Sequence, residues 1–358
     1  MKRSAVLSLK FATDAKRQAV TDLLVEYRKA VNVYIGLCWG NEGGFDAETL
    51  RKLGGPLSYR YKGQALKQAM AIVVATKRSA KTLAKLAEMP VFRGGADLST
   101  NFLNLSFNAN SFDCWAKLSI LVKGKPIWLP IRKTRVLNHW LAQGKLIAGG
   151  TLFDRKGKLY IRVSVDVPTP AVKTGDQSLG IDRGVNVVLA TSEGQLIGTD
   201  LDHYIDRIKR TVPGSNGRAR ALKARTQYVN ECLKALPFAA FAIFVIEQLK
   251  GIKFGKRGKL RRSTNRRFSH WTVGSMGERL KMLCEENCVS LFEVPPAYTS
   301  QCCPACGHVE KGNRCGTIFR CRLCGYEQHA DLVGARNIRD VYRGKILVPS
   351  AKVQNVKN

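Results

Sequence analysis

The sequence has 358 residues, enough for two or three domains with their own cores, and its 45% apolar share excludes a wholly disordered chain. Lysine and arginine number 59 against 27 acids, a net charge of +32 that opposes compaction unless a polyanion neutralises it. The longest apolar run, 235–246, is twelve residues long and contains Pro237, so no membrane-spanning segment is expected and nucleic acid is the expected partner.

The opening stretch SAVLSLKF alternates apolar and polar residues and reads as a strand. Thr13 stands where a helix cap is expected, followed by Val20, Leu23, Leu24, Tyr27, Val31, Tyr34 and Cys38 at helical spacing. Gly36 and the NEGG turn at 41–44 are expected to end that helix. A second helix is expected from about Lys62 to Ala87, with Leu66, Met70, Val73 and Val74 among its apolar positions. Its Lys67, Lys77, Arg78 and Lys81 are candidate phosphate contacts, with a plain solvated face as the alternative.

From Phe92 the pattern changes to short strands, NFLNLSF, KLSILV and PIWLPI. A hairpin follows, IAGGTLF and KLYIRVSVDV, turning at 154–157, with Leu159, Ile161, Val163, Val165 and Val167 on one face. Strand, helical insert and further strands predict a small β-barrel (1–12 and 91–168) interrupted by a helical lobe (13–90). The composition from Pro168 and Pro170 to Gly175 marks a linker, taken as 169–177.

A second unit begins at Ser178, where SLGIDRGVNVVLATSEGQLIG reads as a strand, a Ser-Glu-Gly turn and a second strand. Asp182 lies in the first strand between Gly180 and Gly184, where a carboxylate among apolar neighbours costs folding energy unless something compensates it. A basic helical region at 203–234 breaks at 212–217, and PFAAFAIFVIEQLKG reads as a buried strand ending at Glu247. Residues 250–267 then hold nine basic residues in eighteen and no acid. Within them Lys253, Lys256, Arg257, Arg261, Arg262, Arg266 and Arg267 are candidate nucleic-acid contacts, with Phe268 and Trp271 as stacking partners or core. A helix to about Cys288, the strand VSLFEV and a final helix from Ala330 with Asp331 in its first turn complete the pattern.

Two Cys-x-x-Cys knuckles fourteen residues apart make Cys303, Cys306, Cys321 and Cys324 a four-thiolate set suited to one structural Zn²⁺. Gly307 and Gly325 follow the knuckles where positive φ is needed. No signal peptide opens the sequence and the other seven cysteines show no pairing pattern, so a reducing cytoplasm is expected rather than disulfides. Taken singly, Asp182 reads as a turn residue, Glu247 as an acid reaching solvent and Asp331 as a helix cap. Taken together, acids on a first strand, a later strand and a final helix are the arrangement of an RNase H-type nuclease, which holds two Mg²⁺ about 4 Å apart for phosphodiester hydrolysis.

The runs GIDRGVNVVLAT, FVIEQLKGI and YTSQCCPACG…NRCGTIFRCRLCGYEQHADLVGARNI resemble the TnpB family of transposon-encoded RNA-guided DNA endonucleases, relatives of the compact type V CRISPR effectors. The resemblance covers 178–338 and reaches the N-terminal half only in layout. It implies an α+β multidomain protein: the barrel as a wedge and the helical lobe as a recognition lobe, a RuvC-like nuclease (178–298 and 329–345), a zinc-ribbon insert (299–328) and a tail (346–358). It also implies a guide RNA, a double-stranded DNA target with a short adjacent motif, and residence with the prokaryotic nucleoid. Asp182, Glu247 and Asp331 fall on the family's catalytic, magnesium-binding acids, the four cysteines on its zinc ligands, and Arg314 on an arginine of the ribbon. Arg183, Val333 and Gly334 depart from the family pattern. The rival readings are a nuclease-silent RNA-guided repressor, a guide-free zinc-ribbon DNA-binding protein and a structure-specific resolvase.

Overall fold

A computed structural model describes residues 1–40, 55–82, 86–107, 112–249 and 273–346, with the backbone of 354–355. The chain divides into two compact units, Met1–Pro168 and Thr169–Asn358.

In the first unit, β1 (Lys2–Ser8) leads into α1 (Asp14–Trp39) and α2 (Tyr59–Thr82), which pack on each other. Helix α1 runs through Gly36, contrary to expectation, because a glycine facing open space costs a helix only about 1 kcal/mol. Thr13 occupies the cap position but its hydroxyl makes no cap bond. The expected inward residues of α1 are buried, and the two helices are clasped by Tyr27 and Tyr61. Their hydroxyls donate to Gln68 Oε1 (2.8 Å) and the Ser119 carbonyl (2.6 Å), which is what lets both phenols sit inside the core.

Strands β2 (Ala96–Leu98), β6 (Lys145–Arg155) and β7 (Lys158–Asp166) join β1 in an antiparallel sheet of order β1-β7-β6-β2. Lys156 and Gly157 take positive φ at the β6–β7 turn, and Leu159, Ile161, Val163 and Val165 are buried as the alternation requires. The glycine pair in IAGGTLF makes the bulge between Ile147 and Thr151. A Cβ at Gly149 would stand 2.4 Å from the Leu98 carbonyl oxygen, and one at Gly150 2.6 Å from that of Arg162. Strands β3 (Leu103–Phe107), β4 (Cys114–Leu118) and β5 (Ile127–Ile131) form a separate sheet, followed by a short helix, α3 (Arg135–Leu141), capped by Thr134. The expected barrel is corrected: the strands form two open sheets, and no barrel closes among the described residues.

The second unit is built on one six-stranded sheet of order β10-β9-β8-β11-β12-β16. Its centre is parallel: β8 (Ser178–Asp182), β11 (Ile243–Glu247) and β12 (Ser290–Val294). Strands β9 (Leu189–Thr191) and β10 (Leu196–Ile197) extend one edge antiparallel, and β16 (Gln354–Asn355) closes the other. Asp182 is therefore the last residue of its strand rather than an interior one. The chain must reverse over 183–188 for β9 to run back along β8. Likewise only Ile243–Glu247 of the long apolar run is strand; the stretch from Pro237 turns beforehand.

Helices α4 (Leu201–Lys209), α5 (Asn216–Lys234) and α6 (Val273–Glu286) supply one apolar layer, with Met276, Leu280, Leu283 and Cys284 of α6 buried as expected. Helix α7 (Ala330–Tyr342) lies on β8 so closely that a Cβ on Gly180 would stand 2.1 Å from the Ala335 carbonyl oxygen. Only glycine permits that approach. Gly180→Ala should cost about 2–3 kcal/mol by pushing α7 off the sheet. That corresponds to a melting temperature lower by roughly 5–10 °C in a thermal scan, with an unchanged midpoint counting against the packing argument. No described helix is long and apolar enough to cross a membrane.

Candidate active site and metal-binding ribbon

Three elements bring the acids to one end of the sheet. Parallel pairing sets Ile181 opposite Ile246, so Asp182 and Glu247 leave the ends of adjacent strands side by side. Helix α7 adds Asp331 from its first turn, 6% exposed at its side chain. One turn further on, a Cβ at Gly334 would stand 3.1 Å from Asp182 Oδ2, so the Asp182 carboxyl rests against the bare backbone of α7. The half-buried Asp182 carboxyl is pushed up to about 8, first by desolvation, then by the negative charge of Glu247 and Asp331. Arg314 and Arg183 pull in the opposite direction and do not cancel it.

Two of the three acids are held by a hydrogen-bonding neighbour. Asp331 Oδ1 accepts from Arg314 Nη2 at 2.7 Å, an ion pair reaching from the cysteine-bearing segment to the sheet end. The Thr299 hydroxyl, 1% exposed, donates to Glu247 Oε1 and also lies 3.1 Å from the Pro296 carbonyl. The Arg183 guanidinium donates to the Glu247 backbone carbonyl. Buried Asn337 of α7 donates to the carbonyls of Thr299 (2.8 Å) and Cys302 (2.7 Å), fixing the segment that carries Thr299. Thr299→Val keeps the shape and removes the donor to Glu247. Loss of a donor that orients a metal-binding carboxylate costs about 10–100-fold, so, if the acids are the nuclease centre the sequence leads one to expect, cleavage should fall by that factor at an unchanged melting temperature.

The cysteine segment folds as a three-stranded ribbon: β13 (Arg314–Cys315), β14 (Ile318–Arg320) and β15 (Glu327–His329). The sulfurs of Cys303, Cys306, Cys321 and Cys324 all lie within 4.8 Å of one another, with Cys303–Cys324 at 3.7 Å and Cys306–Cys321 at 3.6 Å. Four thiolates around Zn²⁺ at about 2.3 Å lie about 3.8 Å apart, so the set fits a tetrahedral zinc and is far too open for disulfides. All eleven cysteines are free thiols. Gly307 and Gly325 both have φ of +74°, as the knuckle turns require. The Cys321 thiol is pulled down to about 6, chiefly by the backbone N–H of Cys324, while its neighbour Cys306 is pushed up to about 12. Among the described residues the four cysteines are the one group of His, Cys, Asp or Glu side chains gathered tightly enough to hold a metal ion, and the three acids are not part of such a group.

Comparison with known proteins bears on this arrangement. The family described as "Cas12f1-like, TNB domain" matches residues 274–338, which span α6, β12, the ribbon and the part of α7 that carries Asp331. The endodeoxyribonuclease Cas12f1 of Sulfoacidibacillus thermotolerans is 26% identical over 227 residues, covering 56% of this chain and 54% of that protein. A TnpB-like protein of Aquifex aeolicus is 33% identical over 117 residues, covering 32% and 38%. The chain is a relative of the Cas12f1 and TnpB-like proteins. It thus matches about half the length of the first of these and less of the second. A cryo-EM structure of a Cas12f1–sgRNA–target DNA complex shares the α+β multidomain fold at a TM-score of 0.53 and 14% identity, covering 94% of this chain and 83% of that one.

Of the basic candidates in this Cas12f1 and TnpB relative, Lys67, Arg78 and Lys81 are exposed on α2. Lys77 is half-buried, its ammonium 5.5 Å from the Trp39 ring centroid and 3.4 Å from the Trp39 carbonyl, so part of its charge is engaged internally. Lys253, Lys256, Arg257, Arg261, Arg262, Arg266, Arg267, Phe268 and Trp271 lie outside the described residues. Sequence reasoning missed Thr299 and Asn337, and it noted Arg183 only as a departure. An arginine directly after a strand-end aspartate was the one local signal available for any of the three.

Proposed function

We propose that the chain is an RNA-guided DNA endonuclease whose second unit, 178–298 with 329–345, is a RuvC-like nuclease carrying the zinc ribbon as its insert. The observation that carries this reading is the meeting of Asp182, Glu247 and Asp331 at the carboxyl end of adjacent parallel strands and the start of the helix packed on them. An antiparallel edge, a parallel centre and a final helix laid on the first strand are what an RNase H-type sheet requires. The +32 charge supplies affinity for nucleic-acid backbones. With sequence reading left to base pairing, few base-reading side chains are needed. In this reading 1–12 and 91–168 form the wedge, 13–90 the recognition lobe, and the target is double-stranded DNA beside a short motif.

The donor set fits Mg²⁺: the acids offer hard oxygen ligands, and the repulsion that raises Asp182 is what a divalent cation relieves. When bound by Asp182, Glu247 and Asp331, two Mg²⁺ would supply a deprotonated water and stabilise the departing 3′ oxygen. The chain's own residues prepare the basin. Thr299 fixes the rotation of Glu247, and Gly334 leaves Asp182 room against α7. Arg314, at its edge and 32% exposed, is the cation available to a scissile phosphate.

The test is to purify the protein from its own locus, sequence the RNA that accompanies it, and challenge the complex with a plasmid library of randomised flanks in Mg²⁺. Guide-dependent double-strand cleavage beside a fixed motif is the expected result. Guide-directed binding without a nick would instead assign a silent RNA-guided binder, and DNA binding without RNA would assign a guide-free regulator.

A further inference from the structure

The basin contains two arginines in different situations. Arg314 belongs to the ribbon and its side chain is 32% exposed, so it is free to exchange Asp331 for another anion. Arg183 is 6% exposed and enclosed from three sides. Its Nη2 donates to the Glu247 carbonyl at the end of β11. Its Nη1 lies against α6, where a Cβ at Gly277 would stand only 2.9 Å away, so that glycine makes the space the guanidinium occupies. The anions acting on it are Glu247, Glu293 of β12 and Asp182, its own neighbour in sequence. A buried guanidinium is costly to desolvate, and nothing about closing the end of a β-strand demands one. An apolar side chain would fill the same space at lower cost. The position therefore has a charge to supply rather than a volume to fill.

We propose that Arg183 is the fixed counter-cation of the carboxylate basin, a positioning residue that lowers its affinity for divalent ions and holds the Glu247 backbone in register. This rests on the nuclease reading. A permanent positive charge beside Asp182 and Glu247 offsets part of their repulsion in the metal-free protein and opposes the entry of a second positive charge. The basin then holds its ions weakly until substrate phosphate oxygens complete their coordination, which couples ion occupancy to the presence of DNA. Glu293 of β12 acts on the same charge: the more it neutralises Arg183, the tighter the basin holds cations.

A purely structural role and a counter-cation role predict opposite signs for metal affinity. The full-length, zinc-loaded protein is titrated with Mn²⁺ and free Mn²⁺ is read by electron paramagnetic resonance, with Asp182→Asn identifying the sites that belong to the basin. Arg183→Met should bind Mn²⁺ roughly tenfold more tightly than the parent while melting at a lower temperature in chelator. Arg183→Lys, which keeps the charge, should stay near the parental affinity. Glu293→Gln leaves the arginine in place and should weaken Mn²⁺ binding several-fold, which keeps the test decisive if Arg183→Met does not fold. Affinity that is unchanged or weaker in Arg183→Met, or unchanged in Glu293→Gln, overturns the proposal. If the parent nonetheless cuts guide-matched DNA, only the role of Arg183 fails. If neither parent nor variants show Asp182-dependent Mn²⁺ sites and no cleavage is seen, the nuclease reading fails with it.

Discussion

Asp182→Asn should abolish DNA cleavage and, at pH 8 without divalent ions, leave a protein more stable than its parent. On the proposed reading Asp182 is a metal ligand, and losing one such ligand removes several kcal/mol of transition-state stabilisation, so the rate should fall by about 10³-fold or more. The stability gain follows from linkage. Asp182 has an ordinary value of 3.8 and is pushed up to about 8 in the folded protein, so below about pH 4 it is protonated in both states and costs nothing. Between about 4 and 8 the unfolded chain has released the proton while the folded one keeps it, and stability falls as pH rises. Above about 8 the loss levels off.

The full shift would amount to a few kcal/mol as an order of magnitude, reduced because Asp182 is only half-buried and solvent screens part of its charge. Asparagine cannot ionise, so the variant should show a flatter stability profile across this window. Mg²⁺ should raise the melting temperature of the parent at pH 8 and hardly move that of the variant. Thermal melts at pH 5.5 and 8, with and without Mg²⁺, test this beside the cleavage assay. A variant that still cuts, or is less stable than the parent at pH 8, would remove Asp182 from the basin.

What could be read from the sequence follows how local each signal is. The β6–β7 hairpin was legible because its alternation and its Lys156-Gly157 turn lie within a few residues of one another. The acids could be picked out only as a set, since each alone has an ordinary reading and it is the order of strand end, strand end and helix start that points to one sheet end. The open sheets of the first unit were not, since barrel closure depends on strand pairings distant in sequence. The start of β11 was missed for a related reason. Phe238 and Ala242 are buried in a turn, and apolar composition alone does not distinguish a buried turn from a strand. Thr299 and Arg183 reach Glu247 from 52 and 64 positions away, and Asn337 reaches Thr299 and Cys302 from 38 and 35 positions away. Nothing in the chain near any of them marks that partner.

On the proposed reading, Cys321→Ser, or stripping the zinc with a strong chelator, should cost a large part of the cleavage activity, although no cysteine is among the three acids. The ribbon has little of its own to hold it: three short strands and a core of Cys303, Phe319 and Cys321 completed by Ala330 and Val333. Zinc bound by four thiolates contributes about 10–16 kcal/mol of apparent binding energy to small domains of this kind, more than such a core can replace. Ala330 and Val333 belong to α7, so a collapsed ribbon uncovers the face of the helix that carries Asp331. Three further links then loosen together. Arg314 leaves Asp331, Asn337 loses the Cys302 carbonyl, and the Thr299 segment that restrains Glu247 is released. Two of the three acids lose their positioning at once, which places the expected fall in cleavage at about 10²-fold or more. Zinc content by atomic emission, ribbon melting and cleavage should decline in parallel as chelator is added, and readdition of Zn²⁺ should restore all three. Full cleavage by a protein shown to contain no zinc would mean that α7 holds its acid without the ribbon.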